Sequence, residues 1–211
     1  MKPSFSHVDH EVRAKALLKW YQGLGDDKGS RARLRRAASP DDVIFEPAFH
    51  RLLAGLREVQ PRLWLDDPRR RRNLAAFAGL AARVEKNRED VSLAKQMGTP
   101  GDRKSSSGAP VSEQRFRRLL TAPSLDDRFT RLSRVIPLLG KQINLLSLAD
   151  ALYDWDDDPD LRQQWAYDYY SIGKPPALPG DSQCLTFPGA WGTGGLHSSE
   201  SAGAANERVE A

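Results

Sequence analysis

The chain has 211 residues, of which 39% are hydrophobic and 28% charged, a composition that suits one globular domain or two small ones with an ordinary hydrophobic core. The chain has a single cysteine, Cys184, which excludes an internal disulfide. No apolar run approaches the roughly 20 residues that cross a bilayer, and the N-terminus lacks the apolar stretch of a signal peptide. We therefore expect a soluble cytoplasmic protein that contacts no membrane. The formal net charge is +4, but residues 174–211 hold four acidic and two basic residues, so the rest of the chain carries +6 and favours a polyanionic partner.

Apolar residues recur at helical spacing through the body of the chain, and runs of β-branched residues are almost absent. This pattern predicts an all-α fold, a bundle of about eight helices. The first helix is expected to end near Gly23 and Gly25, whereas the fourth begins with an aspartate N-cap followed by proline at the first helical position. The four helices predicted in the first half cover residues 9–21, 28–36, 47–58 and 68–88.

The segment GTPGDRKSSSGAP, residues 98–110, has the composition of a flexible linker and is predicted to join two helical parts, residues 1–97 and 111–173. Glycine, proline, serine and alanine dominate residues 174–211, which predicts a disordered tail. Four aromatic residues lie on apolar stripes and are expected in the core, which leaves no evident platform for stacking bases: Trp20, Phe116, Phe129 and Trp165. The helices predicted after the linker cover residues 112–120, 125–140, 145–155 and 159–170.

Arginines crowd the short predicted helix KGSRARLRR. On a helical wheel, Arg31 and Arg35 lie one turn apart and could follow one phosphate backbone. Arg33 and Arg36 face elsewhere, for example towards a protein partner. The free backbone N–H groups at the start of this helix could themselves cradle a phosphate. The plainer interpretation is a solvated helix with one narrow apolar stripe.

A second basic cluster begins in the segment RFRRLL, where Arg115 and Arg118 lie one turn apart. The next predicted helix adds a row of arginines at i, i+3 and i+6: Arg128, Arg131 and Arg134. Such a row spans about 9 Å, which is comparable with one or two phosphate spacings. The plainer interpretation is an internal ion pair, because Asp127 precedes Arg131 by four residues.

Two other charged segments carry weaker signals. The consecutive arginines of PRRRR, residues 68–72, point around the helix axis in different directions, so we interpret them as an auxiliary electrostatic feature. The segment DWDDDPD, residues 154–160, lacks the EF-hand pattern, because Pro159 and Trp165 stand where glycine and glutamate are required. It is interpreted as an acidic elbow between two helices.

The sequence offers little for an enzyme. Its four histidines, His7, His10, His50 and His197, are scattered and form no HExxH motif, and no glycine-rich phosphate loop is followed by lysine. We therefore expect a protein that is not an enzyme and that holds neither a metal ion nor a cofactor.

Several motifs occur in an order that resembles a known family: LLKWYQGL, GSRARLRR, SEQRFRRLL, LDDRFTRLSRVIPLL, LADALYDW and LRQQWAYDYY. Over residues 10–172 the chain is similar to the CasB family, the small subunit of the type I-E CRISPR surveillance complex Cascade, which acts in antiviral defence. The resemblance implies an all-helical, non-catalytic protein that is present as two copies lying head to tail in the complex.

The resemblance also implies the partners. Basic surfaces of this family help to hold the CRISPR RNA (crRNA) and the target DNA, especially the displaced strand of the R-loop, while other faces dock on the large subunit and the backbone subunits. Carried over to this sequence, the expected nucleic-acid contacts are Arg31, Arg33, Arg35, Arg36, Arg115, Arg118, Arg128, Arg131 and Arg134.

Two other functions fit the arginine clusters. A helix-turn-helix regulator would insert one arginine-rich helix into the major groove of a defined duplex site. A structural adaptor would use the same arginines to bind acidic protein surfaces. The Cascade hypothesis differs from both, because it requires a basic surface that tracks a nucleic-acid backbone without reading its sequence.

Overall fold

The computed structural model describes residues 11–59, 67–99 and 108–170. Within these ranges the chain forms ten helices and two strands of two residues each, which confirms the predicted all-α class. The elements in chain order are α1 (Glu11–Asp26), α2 (Lys28–Arg36), α3 (Pro40–Ile44), α4 (Pro47–Val59), α5 (Pro68–Ala81), β1 (Lys86–Asn87), α6 (Leu93–Gly98), α7 (Glu113–Leu120), α8 (Leu125–Leu138), β2 (Gln142–Ile143), α9 (Leu145–Tyr153) and α10 (Pro159–Tyr170).

All eight predicted helices are present, and α3 and α6 are additional. Helix α3 begins with a capping box, in which the Ser39 side chain accepts from the Asp42 N–H at 3.3 Å and Asp42 Oδ2 accepts from the Ser39 N–H at 2.9 Å. Helix α6 begins where the Ser92 side chain accepts from the Lys95 N–H. Both caps are visible in the sequence, so these short helices could have been predicted.

Two predicted helix ends differ from the structure. Helix α1 continues through Gly23 and Gly25 to Asp26, and α5 ends at Ala81 rather than at Arg88. After α5 the chain enters β1, which pairs in parallel with β2. The Glu85 and Lys86 N–H groups both donate to the Lys141 carbonyl, at 2.8 and 3.3 Å. This long-range pairing outweighs the heptad pattern that favoured a longer helix.

Helix α5 is the centre of the fold. Its residues from Asn73 to Ala81 are all buried, and it packs against α2, α3, α8 and α9. A helix that is apolar on every side in this way must be surrounded by other helices. The expected core aromatics Phe116, Phe129 and Trp165 are buried, whereas Trp20 is half-buried and its Nε1 donates to the Ala48 carbonyl at 2.9 Å.

The two helical parts predicted from the sequence share one hydrophobic core. Helix α6 packs against α10, and α5 packs against α8 and α9, so contacts run from one side of the 98–110 segment to the other. Most of this segment, and the tail predicted to be disordered, lie outside the described residues. None of the helices described combines the length and apolar character that crossing a membrane requires.

Gly79 lies where three helices approach most closely. A Cβ atom added there would come within 2.9 Å of Val43 Cγ2 on α3 and 3.1 Å of the Phe129 ring on α8. We expect Gly79→Ala to lower the free energy of unfolding by about 1 to 2 kcal/mol, although alanine favours a helix by about 1 kcal/mol over glycine. Urea denaturation would measure the change.

Gly55 of α4 provides the matched control, because a Cβ there would meet nothing within 4 Å. We expect Gly55→Ala to stabilise the protein by about 0.5 to 1 kcal/mol through helix propensity alone. Equal effects of the two substitutions would contradict the close packing of α3, α5 and α8.

Candidate nucleic-acid interface

The nine arginines proposed from the sequence fall into three groups according to their contacts. One is buried, Arg128, and three are held by groups of this chain, Arg31, Arg33 and Arg131. The remaining five are exposed, and within the described residues their side chains form no ion pair or hydrogen bond. These exposed arginines are Arg35, Arg36, Arg115, Arg118 and Arg134.

Arg31 is bound inside the protein rather than extended into solvent. Its Nε donates to the Ala82 carbonyl at 3.2 Å and its Nη2 donates to the Val84 carbonyl, so its guanidinium satisfies carbonyls at the end of α5. Its guanidinium also lies 6.0 Å from the centre of the Tyr21 ring. Arg31 therefore connects α2 to α5. Its guanidinium is not free to follow a phosphate backbone together with Arg35, as the helical wheel suggested.

The start of α2 is occupied by the chain's own carboxylate. Asp27 caps the helix and accepts from the Ser30 N–H at 2.9 Å, and Arg51 of α4 donates to its other oxygen at 2.7 Å. The hydrogen bonds from Ser30 are the main cause that lowers the pKa of Asp27. An anionic cap fills the position that the sequence offered to a phosphate.

The C-terminal end of α2 carries Arg35 and Arg36, and Arg83 links this end to α8. Arg83 Nη2 donates to the Ala37 carbonyl at 2.8 Å, and the Arg83 guanidinium lies 5.2 Å from the centre of the Phe129 ring. Burial first, and then the neighbouring charge of Arg35, lower the pKa of Arg83. Arg35 and Arg83 thus place positive charge at the C-terminal end of α2.

The second cluster is built on α7, whose apolar face is short. Phe116 and Leu119 are buried, and this turns Arg115 and Arg118 outward. Arg131 of α8 donates through Nη1 to the Arg118 carbonyl and lies 3.9 Å from Asp127, the ion pair that the sequence suggested. Arg131 therefore fixes α8 beside α7, and one turn further on Arg134 is exposed.

Arg128 lies in the interior. Only 2% of its surface is exposed, and its guanidinium donates to both oxygens of Asp156, at 2.8 and 2.7 Å. Its guanidinium also lies 5.8 Å from the centre of the Trp155 ring. The sequence placed Arg128 in one row with Arg131 and Arg134, but this first member of the row faces the segment between α9 and α10. We therefore leave Arg128 out of the interface.

The acidic segment 154–160 is an elbow between α9 and α10, as predicted, but the sequence did not indicate its partners. Arg69 lies 3.2 Å from Asp156, and Arg70 lies 3.1 Å from Asp157. Arg128 is the main cause that lowers the pKa of Asp156. Two carboxylates of the elbow, Asp156 and Asp157, are therefore paired with arginines of this chain.

The run PRRRR is largely used by these internal contacts. Besides Arg69 and Arg70, Arg72 lies 2.7 Å from Asp41 of α3 and 2.9 Å from Asp126 of α8. These pairs connect α5 to its neighbours. The sequence suggested only an auxiliary electrostatic feature. Three of the four arginines instead form ion pairs that hold neighbouring segments together.

A cleft of about 330 Å³ beside α6, α9 and α10 has a different character. It is lined by carboxylates, Glu89, Asp150 and Asp168, and Asp168 accepts from Ser92 Oγ at 2.6 Å and from Gln164 Nε2 at 2.8 Å. Its negative charge disfavours phosphate. In the part of the chain that the structure describes, no three His, Cys, Asp or Glu residues are grouped to hold a metal ion.

Comparisons with known proteins identify the family. The family model for CRISPR-associated protein Cse2 matches residues 30–170, a range that contains all nine proposed arginines. A search of curated proteins finds no match. Among solved structures, the chain resembles one chain of the crystal structure of E. coli Cascade bound to a PAM-containing dsDNA target. The TM-score is 0.54 and the sequence identity 26%, and the match covers 74% of this chain and 92% of that chain.

Proposed function

Because this chain belongs to the family of CRISPR-associated protein Cse2, the small subunit of the type I-E complex Cascade, we propose that its exposed arginines bind the nucleic-acid backbone in that complex. The observation that carries the proposal is the division of the arginines into two kinds. Four of the nine are engaged in contacts within the chain, whereas five are exposed and their side chains form no ion pair or hydrogen bond within the described residues. Uncompensated arginines on a surface favour a polyanion.

The proposed role is electrostatic and requires no catalysis. An RNA–DNA hybrid is nearly as stable as the DNA duplex that it replaces. A small additional stabilisation of the R-loop therefore shifts the equilibrium between the R-loop and the re-paired duplex. A displaced strand held on Arg115, Arg118 and Arg134 re-pairs less readily with the target strand. The guide RNA, rather than this subunit, reads the sequence.

The wider set of partners belongs to the same proposal. We propose that the subunit contacts crRNA and target DNA, that it docks on the large subunit and the backbone subunits, and that a second copy lies beside it in the complex. The complex is expected to act in the cytoplasm in antiviral defence.

The test combines Arg115→Ala, Arg118→Ala and Arg134→Ala in one variant. Affinity for single-stranded DNA depends on salt with a slope of about 0.7 log units for each phosphate neutralised, so the slope should fall by about 2 in the triple variant. Fluorescence anisotropy at several salt concentrations would measure it, first with the isolated protein and then with the assembled complex.

The control removes the same number of charges from α1 and α4, as Lys15→Ala, Lys19→Ala and Arg57→Ala, and should leave the slope nearly unchanged. An unaltered slope in the arginine variant would reject the proposal. A variant that no longer assembles with the other subunits, yet binds single-stranded DNA normally, would instead support the adaptor function. The helix-turn-helix function would appear as protection of one defined duplex site.

A further inference from the structure

The surface where α10 meets α7 carries aromatic rings that the electrostatic role leaves unexplained. Tyr167 and Tyr170 lie one turn apart on α10 and are 70% and 50% exposed. Large aromatic side chains are normally covered, because each buries 150–250 Å² or so when it packs in a core. Two exposed rings on one face of one helix therefore indicate a contact surface.

Tyr170 is exposed and yet fixed in position. Its hydroxyl donates to Glu113 Oε1 at 3.0 Å and accepts from Arg117 Nε at 3.4 Å, so both partners lie on α7. Its ring stands edge-to-face against Phe116 and Tyr169, with centroid distances of 6.3 and 5.0 Å. A ring held at both ends loses little conformational entropy when it binds a ligand.

The support beneath Tyr170 is rigid as well. Phe116 and Tyr169 stack at 3.9 Å with an angle of 7° between their planes, and the Tyr169 hydroxyl donates to the Val111 carbonyl at 2.7 Å. Both rings are buried. The cluster thus anchors α10 to α7 and fixes the orientation of the exposed ring.

The charge around this ring suits a nucleic acid. Glu113 is the carboxylate that contacts the Tyr170 hydroxyl, and it is paired with Arg117 at 2.6 Å, so its charge is compensated. Arg115 and Arg118 lie on the same short helix and, within the described residues, have no acidic partner. Helix α7 has only eight residues, so a strand whose phosphates contact Arg115 and Arg118 needs only to cross this helix to bring a base to Tyr170, which is held by Glu113 and Arg117.

We propose that Tyr170, assisted by Tyr167, stacks on a base of the single strand whose phosphates the α7 arginines hold. The proposal rests on the proposed function, and it adds a contribution to the binding free energy that does not depend on charge. Stacking on an aromatic side chain accepts any base, because every base has a π-face, so the contact is compatible with a subunit that does not read sequence.

The experiment compares two probes of equal length and charge, an oligothymidylate and an abasic strand. Tyr170→Leu in the full chain should lower affinity for the oligothymidylate by about 10-fold, since stacking contributes 5-fold or more per base, and should leave the abasic strand unaffected. The slope of affinity against salt should stay at its original value. Tyr170→Phe, which keeps the ring, should bind both probes as the unaltered protein does.

Tyr167→Ala is the second variant, because this side chain is 70% exposed and its truncation should cost little stability. It should weaken oligothymidylate binding alone, by a smaller factor. Equal losses on both probes, or no loss on either, would overturn the stacking proposal while the arginine dependence still stood. Loss of assembly with the other subunits, with oligothymidylate binding intact, would overturn it in favour of a protein partner.

Discussion

We expect Asp156→Ala to lower the free energy of unfolding by about 3 to 5 kcal/mol, because it leaves a buried guanidinium without its carboxylate. Arg128 is 2% exposed and donates to both oxygens of Asp156. A guanidinium keeps its positive charge in a protein. The charge must then remain buried and unpaired, or the helices around it must open. Denaturation by guanidinium chloride would measure the loss.

The control for this prediction is Asp90→Ala. Asp90 also pairs with an arginine, Arg88, at 2.8 Å, but this pair is exposed. Its removal should change the free energy of unfolding by less than about 1 kcal/mol. A second variant, Asp156→Ala combined with Arg128→Met, removes both charges and should recover much of the loss. Similar losses at Asp156 and Asp90 would contradict a stability contribution that depends on the burial of Arg128.

We expect the protein to lose stability as the pH rises from about 4 to about 7, because of Asp154. This side chain is buried at the end of α9. Burial first, and the charge of Asp150 second, raise the pKa of Asp154 to about 7, against opposing effects of Arg70 and Arg13. In that range the unfolded chain has released a proton that the folded chain still holds, so each step towards pH 7 favours unfolding.

Asp154→Asn should remove this dependence. An asparagine keeps the size of the protonated carboxyl and cannot ionise, so the variant should gain on the order of 2 to 4 kcal/mol over the original protein at about pH 8, and nearly nothing at about pH 4. Chemical denaturation at both pH values would measure the difference. If the two proteins keep the same difference in stability at both pH values, folding does not raise the pKa of Asp154.

Local patterns in the sequence were sufficient for the order and type of the helices. Helix α10 begins at Pro159, as predicted, because the signal is contained within a few residues. The end of α5 was predicted wrongly, because it depends on β2, which pairs with β1 from more than 50 residues away. A periodic pattern cannot show where a distant segment offers the backbone a different partner.

The arginines illustrate the same limit at the level of the interface. Arg128 and Arg134 occupy equivalent places in one periodic row, yet one is buried and the other exposed. The difference depends on Asp156, which lies 28 residues further along the chain. The tyrosines of α10 were not singled out from the sequence, although a helical wheel separates the buried Trp165 and Tyr169 from the exposed Tyr167 and Tyr170.

The pairing of β1 with β2, and the packing of α6 on α10, determine when this chain can finish folding during its synthesis. The partner of β1 is the strand β2, and the partner of α6 is α10, the last helix of the described residues. At about 5 to 20 residues per second, the roughly 70 residues between α6 and the end of α10 take about 4 to 14 seconds to emerge. For that time a nascent chain on the ribosome exposes the apolar side of α6 and an unpaired strand, which is the kind of surface that chaperones bind.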